Sequence, residues 1–161
     1  MKATVVGGNL PGLSALRERM KDANRAVLVG VPAGKSEPDG TSLALIAAVH
    51  EFGSPENNIP ERSFIRAGIL RGRPKFERLN AANLRLVVLG KKTVEQAIEQ
   101  LGVVASGEVK REFTVGTFEP LKPATIARKG SSKPLIDTGN LRQAITYVIE
   151  GAQSPGAKVV D

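Results

Sequence analysis

A single α+β domain is what the sequence predicts, with a small antiparallel or mixed sheet packed against three to five helices and long connecting loops. Three observations lead there. Short β-branched runs stand near both ends of the chain, helix-period segments fill the middle, and 161 residues suffice for one sizeable core but not comfortably for two. The domain is expected over 1–150, with 151–161 as an extended or partner-contacting tail.

The elements follow in order. Lys2 to Val6 is a β-branched run closed by Gly7-Gly8, and Leu10 to Ala23 places Leu13, Leu16 and Met20 at helical spacing. Arg25 to Val31 is an apolar strand that runs into the Pro/Gly/Ser/Asp-rich loop Pro32 to Gly40. Thr41 or Ser42 then caps a helix reaching Phe52, with Gly53 as its stop. Ser63 to Leu70 and Lys75 to Leu89 are helical in pattern, and Gly72-Arg73-Pro74 predicts a break between them. Thr93 and Gln96 have the form of a capping box that opens a helix to about Glu112, weakened by Gly102 and Gly107. Glu119 to Lys133 is expected to be loop, and Gly139 to Ala144 a short helical turn before a strand at Ile145 to Ile149.

Composition narrows the function classes. With 4% aromatic residues and no Trp, the core must be built mainly from Leu, Ile, Val and Ala. No Cys is present, so disulfides, thiolate metal sites and cysteine nucleophiles are excluded, and a reducing compartment fits. The segment MKATVVGGNLPG carries too short an apolar run for a signal peptide or a membrane anchor. The formal charge is +7, and it is concentrated. From Arg62 to Lys92 nine basic residues face Glu77 alone, a net of +8, so the remainder is nearly neutral. Such a segment faces nucleic acid, an acidic protein surface or solvent.

Three motifs suggest chemistry and fail on context. Asp137-Thr138-Gly139 has the form of an aspartic-protease loop, in which two carboxylates share a proton. Only about twenty residues follow Gly139, too few for the sheet such a site requires, and capping of the next helical turn by Asp137 or Thr138 is the better reading. Gly30 to Ser36 resembles a phosphate loop but is one residue short between its glycines, and Glu37-Pro38-Asp39-Gly40 delays the helix that would bind phosphate. His50-Glu51 lacks the second histidine of a zinc helix. No nucleophile–base pair, metal set or cofactor fingerprint remains, and no enzyme, metal or cofactor is expected.

Three segments taken together carry a more specific signal. They are Ala47 to Ser54 (AAVHEFGS), Ile59 to Arg66 (IPERSFIR) and Lys133 to Leu141 (KPLIDTGNL). This ordered set resembles the tailed-phage neck and tail-completion proteins, also called virion-morphogenesis or minor tail proteins. In that family a helix ends in E-F-G, an I-P-x-R-x-F segment starts the next helix, and a P-L-x-D-T-G-x-L turn precedes a C-terminal strand. The resemblance spans Leu43 to Ile149 and leaves the first forty residues unaligned.

The resemblance implies a non-enzymatic α+β protein that forms a homo-oligomeric ring at the head–tail junction. It would contact connector, stopper, terminator or tube proteins, with DNA in the channel as a further candidate contact, in a virion assembled in the bacterial cytoplasm. It marks Glu51, Phe52, Gly53, Ile59, Pro60, Arg62, Phe64, Pro134, Leu135, Asp137, Thr138, Gly139 and Leu141 as structural signature positions. Phe52 and Phe64 are expected to pack together as core anchors, Arg62 to pair with Glu51, and Pro60 to set the first turn of the next helix. Arg66, Arg71, Arg73, Lys75 and Arg78 are candidate contacts to acidic partners, and the loops Pro32 to Gly40 and Glu119 to Lys133 are candidate ring contacts. The alternative is a small nucleic-acid-binding protein that uses Arg62 to Lys92.

Overall fold

The computed structural model describes residues 11–130, 132, 134–135 and 139–151. The elements are α1 (Pro11–Met20), β1 (Arg25–Gly30), α2 (Leu43–Phe52), a 3-10 turn (Pro55–Asn57), α3 (Phe64–Val88), α4 (Val94–Val115), α5 (Pro123–Lys129), α6 (Asn140–Ala144) and β2 (Thr146–Gly151). Among the described residues they form one compact α+β domain with six α-helices, one more than the upper expectation, and one two-stranded antiparallel sheet in which Val27 faces Ile149 and Val29 faces Tyr147. The expected strand Lys2 to Val6 and the tail beyond Gly151 lie outside the described residues. No described helix is long and apolar enough to cross a membrane.

The frame is the antiparallel hairpin of α3 and α4, the most extensive packing between elements, with α4 also touching both strands. Close approach explains two glycines. A Cβ on Gly68 would lie 2.7 Å from the Val109 Cα, so backbone meets backbone there. Gly102, expected to weaken α4, instead seats the buried Tyr147 ring of β2, which a Cβ would meet at 2.2 Å.

The expected break at Gly72-Arg73-Pro74 does not occur. α3 runs unbroken for 25 residues with Pro74 inside it. Proline removes the amide that would reach the Leu70 carbonyl, but Leu70 is exposed, so water can serve that oxygen. Arg71 and Lys75 hold α3 to α4 on both sides of the proline. Tertiary packing overrides the local preference.

The segment from Glu119 to Lys133, expected to be loop, contains α5, which Pro123 opens at its first turn and Gly130 closes in the left-handed conformation. Thr93 accepts from the Gln96 amide and Gln96 reciprocates, so α4 starts on the predicted capping box. Ser42 caps α2 by accepting from the Leu45 amide at 3.4 Å. The main core joins Leu43 and Ala47 of α2, Phe64 of α3, Val109 and Phe113 of α4, and Leu135, Leu141, Ala144 and Ile145.

Candidate assembly surface

The signature residues are organised around one buried carboxylate. α2 buries Leu43, Ala47 and Glu51 at a spacing of four, so the last turn of this stripe delivers Glu51 to the start of α3. There it accepts from the Ser63 hydroxyl at 2.8 Å and from the backbone amides of Ile65 at 2.8 Å and Arg66 at 3.1 Å. Ser63, the residue at the cap position of α3, makes no side-chain cap bond of its own. Glu51 therefore caps a helix from another element, satisfying two orphan amides and placing negative charge at the positive end of the helix dipole.

Phe52 does not join the core. One residue beyond Glu51, it turns off the buried stripe and is 70% exposed, with the Arg66 guanidinium 5.9 Å from its ring centre. Phe64 is fully buried and packs edge-on against Phe113, with ring centres 4.8 Å apart. The expected Phe52–Phe64 pair is thus replaced by Phe64–Phe113. The expected Arg62–Glu51 pair is replaced as well. Arg66 is the cation beside Glu51, at 3.6 Å, while the buried Arg62 donates from Nε to the Glu119 carbonyl at 3.1 Å. Arg62 also donates its amide to the His50 carbonyl at 2.7 Å, covering the open end of α2.

Between them the chain makes a tight loop. Gly53 has φ 74°, and a Cβ there would lie 3.0 Å from the Glu61 amide, so the turn needs glycine on both counts. Ser54 and Ile59 bridge the loop. Pro60 does not open α3, which starts four residues later at Phe64; it lies in the extended approach.

The third signature segment returns to the same place. Leu135 and Leu141 are buried in the core, Pro134 is half-buried, and Gly139, with φ 84°, leads into α6. Asp137 and Thr138, the expected helix caps, lie outside the described residues. The Asn140 amide group donates to Glu37 at 2.8 Å, which ties α6 to the Pro32 to Gly40 loop.

Segments far apart in the chain thus border one open groove of about 1160 Å³, reached by Phe52, Ile59, Pro60, Arg62, Leu135, Gly139 and Leu141. Glu37, Asp39, Glu61 and Glu119 also line it, against Arg62 and Lys122, so its walls mix apolar and polar side chains with an acidic excess. The Thr41 amide donates to Asp39 at 2.9 Å and holds that carboxyl below the ordinary carboxylate range.

Four of the nine cations of the basic segment are paired with carboxylates of the same chain. Arg71 makes a two-pronged pair with Glu112 at 2.8 and 3.1 Å, Lys75 reaches Glu108 at 2.7 Å, and Arg73 reaches Glu77 at 2.9 Å. Arg66 also pairs with Glu61 at 3.3 Å, and Lys92 donates to Asn83 and Gln100. Of the five candidate partner-contacting cations, Arg78 is the exposed one for which no pairing is found among the described residues. The local reason is geometric. Arg71 and Lys75 stand one turn apart on α3, and Glu108 and Glu112 one turn apart on the antiparallel α4.

Lys75, donating to Glu108, holds that carboxyl below its ordinary value, with Arg111 adding to the effect. The folded state thus binds the Glu108 proton less readily than the unfolded state. The pair's stabilisation is complete above the ordinary carboxylate value of about 4.3 and is lost as pH falls through the lower folded value. Melting curves of the wild type and Glu108→Gln should differ by no more than about 1 kcal/mol near pH 6, since Lys75 is more than half exposed. The gap should close below about pH 4; a gap that widens there would contradict the pairing.

Compared with known proteins, the chain matches no family model, no curated protein and no solved structure.

Proposed function

We propose that the protein is a structural component of a tailed-phage neck, a tail-completion, terminator or connector protein that joins tail to head through the groove at the start of α3. The observation that carries this reading is the convergence of its three signature segments on one surface. Phe52 and Gly53, Ile59 to Arg62, and Leu135, Gly139 and Leu141 line a single groove of mixed polarity with an acidic excess, with an aromatic ring presented at its rim. Phe52, 70% exposed at the groove, is an aromatic side chain of the kind that anchors interfaces.

The competing nucleic-acid reading is weakened, because four of the nine cations it would use, Arg66, Arg71, Arg73 and Lys75, are paired to Glu51, Glu61, Glu112, Glu77 and Glu108. Mass spectrometry of purified virions from the encoding phage or induced prophage is expected to detect the chain at a few to a few tens of copies relative to the major capsid protein. Its absence from intact virions, with presence in the lysate, would remove it from the neck.

A further inference from the structure

The face that α3 turns away from α4 carries a pattern of its own. Leu70, Pro74, Glu77, Ala81, Leu84 and Val88 follow one another in steps of four and three, the spacing of a heptad seam. The residues that α3 buries, among them Gly68, Gly72 and Asn83, lie on the other side of the helix. Leu70 is 64% exposed, Leu84 51% and Val88 40%, with Pro74 and Ala81 exposed between them. At 1.5 Å per residue the stripe runs about 27 Å along the helix.

Arginine flanks this stripe on both sides. Arg71, Arg78 and Arg85 recur every seven residues along one edge, and Arg66 and Arg73 stand along the other. These are the heptad positions beside a seam, where charge selects the partner. Arg66, Arg71 and Arg73 are at least half exposed even though each pairs with a carboxylate of the chain. For Arg78 and Arg85 no pairing is found among the described residues. Glu77, bonded to Arg73, is the one acidic residue from Arg66 to Arg85.

That pattern selects the occupant. A second copy laid on the stripe, parallel or antiparallel, sets arginine against arginine along both edges. Nucleic acid would use the cations through its phosphates and leave Leu70, Leu84 and Val88 without a role. A helix of another protein, aliphatic on one face and edged on both sides by Glu or Asp, answers the stripe and its borders together. We infer that the outward face of α3 docks such an acidic amphipathic helix, the two forming a short heterotypic coiled coil. None of the stripe's residues lines the groove, and the docking requires neither the groove nor a virion.

The test titrates the full-length protein into three labelled peptides of about 21 residues, three heptads each, read by fluorescence anisotropy at physiological salt. One has Leu at the seam positions and Glu beside them, the second has Lys in place of Glu, and the third is the acidic peptide in scrambled order. The acidic heptad peptide is expected to bind about tenfold or more tightly than either control. Leu70→Gln/Leu84→Gln, a neutral change at exposed positions, should weaken it about tenfold with the circular dichroism spectrum unchanged. Arg78→Glu/Arg85→Glu should narrow the gap between the acidic and Lys peptides by a similar factor. Equal binding of the scrambled peptide, or no loss in the Leu70→Gln/Leu84→Gln variant, would mean that net charge alone attracts the peptide, and would overturn the inference. No binding would overturn it too. So would a DNA duplex that binds more tightly than the acidic peptide and is weakened by the arginine changes but not by the leucine changes, which would assign this face to nucleic acid.

Discussion

Replacing Glu51 with alanine is expected to destabilise the protein by about 3 kcal/mol, more than an ordinary loss of one hydrogen bond. The side chain is buried and receives one hydroxyl and two backbone amides. Its removal leaves the amides of Ile65 and Arg66 without their acceptor at the start of the longest helix, and removes a charge favourable to the helix dipole. The Glu51→Gln variant keeps an acceptor oxygen but loses the charge, so about half of that loss is expected. For a chain of this size the alanine variant should melt roughly 6–12 °C lower. Calorimetry decides it. A shift of less than about 2 °C for Glu51→Ala would mean that water replaces the cap and that the carboxylate is not structural.

The second large effect concerns Arg71. Glu112 is 2% exposed, and the two-pronged guanidinium of Arg71 is its ion-pair partner. Arg71→Met leaves that carboxylate without its counter-charge and should lower stability by more than the loss of an ordinary surface pair, though by less than for a fully buried pair because the arginine is half exposed. The double variant Arg71→Met/Glu112→Met removes the charge and its solvation cost together. It should recover most of the loss and can equal the wild type. Urea denaturation of the three proteins gives the result. A double variant as unstable as the single one would show that packing around the two side chains, and not the buried charge, dominates. The same experiment bears on assembly, since charge reversal at Arg71 or Lys75 damages the hairpin before it reaches any partner.

Much of the architecture can be read along the chain, because it depends on local chemistry. Ser42, the Thr93–Gln96 box and the strands at Arg25 and Thr146 stand within a residue or two of expectation. What fails is where distant segments decide. Pro74 predicts a break, and ion pairs to α4 on either side of it hold the helix together. α5 stands where the sequence predicts loop although Pro123 and Gly130 bracket it with the usual start and stop residues, because its seven residues show too little apolar period to announce a helix.

The site was partly visible. The signature segments are apparent as sequence, and so is the spacing of Leu43, Ala47 and Glu51, which puts Phe52 outside the buried stripe and Glu51 within it. The role of Glu51 as a remote cap is not visible, since it depends on where α3 begins relative to α2 in space. The basic segment is the clearest lesson about charge. Counting to +8 between Arg62 and Lys92 ignores Glu108 and Glu112, which lie outside the window and directly across the hairpin. Their spacing of four, matching that of Arg71 and Lys75, was the available signal.

The most direct test of the proposed role is electron microscopy of lysates after deletion of the encoding gene, with the gene restored from a plasmid as control. Head–tail joining by this protein predicts DNA-filled heads and separate tails, with few joined particles and titres reduced by several orders of magnitude. Joined, infectious particles at normal yield from the deletion strain would contradict it.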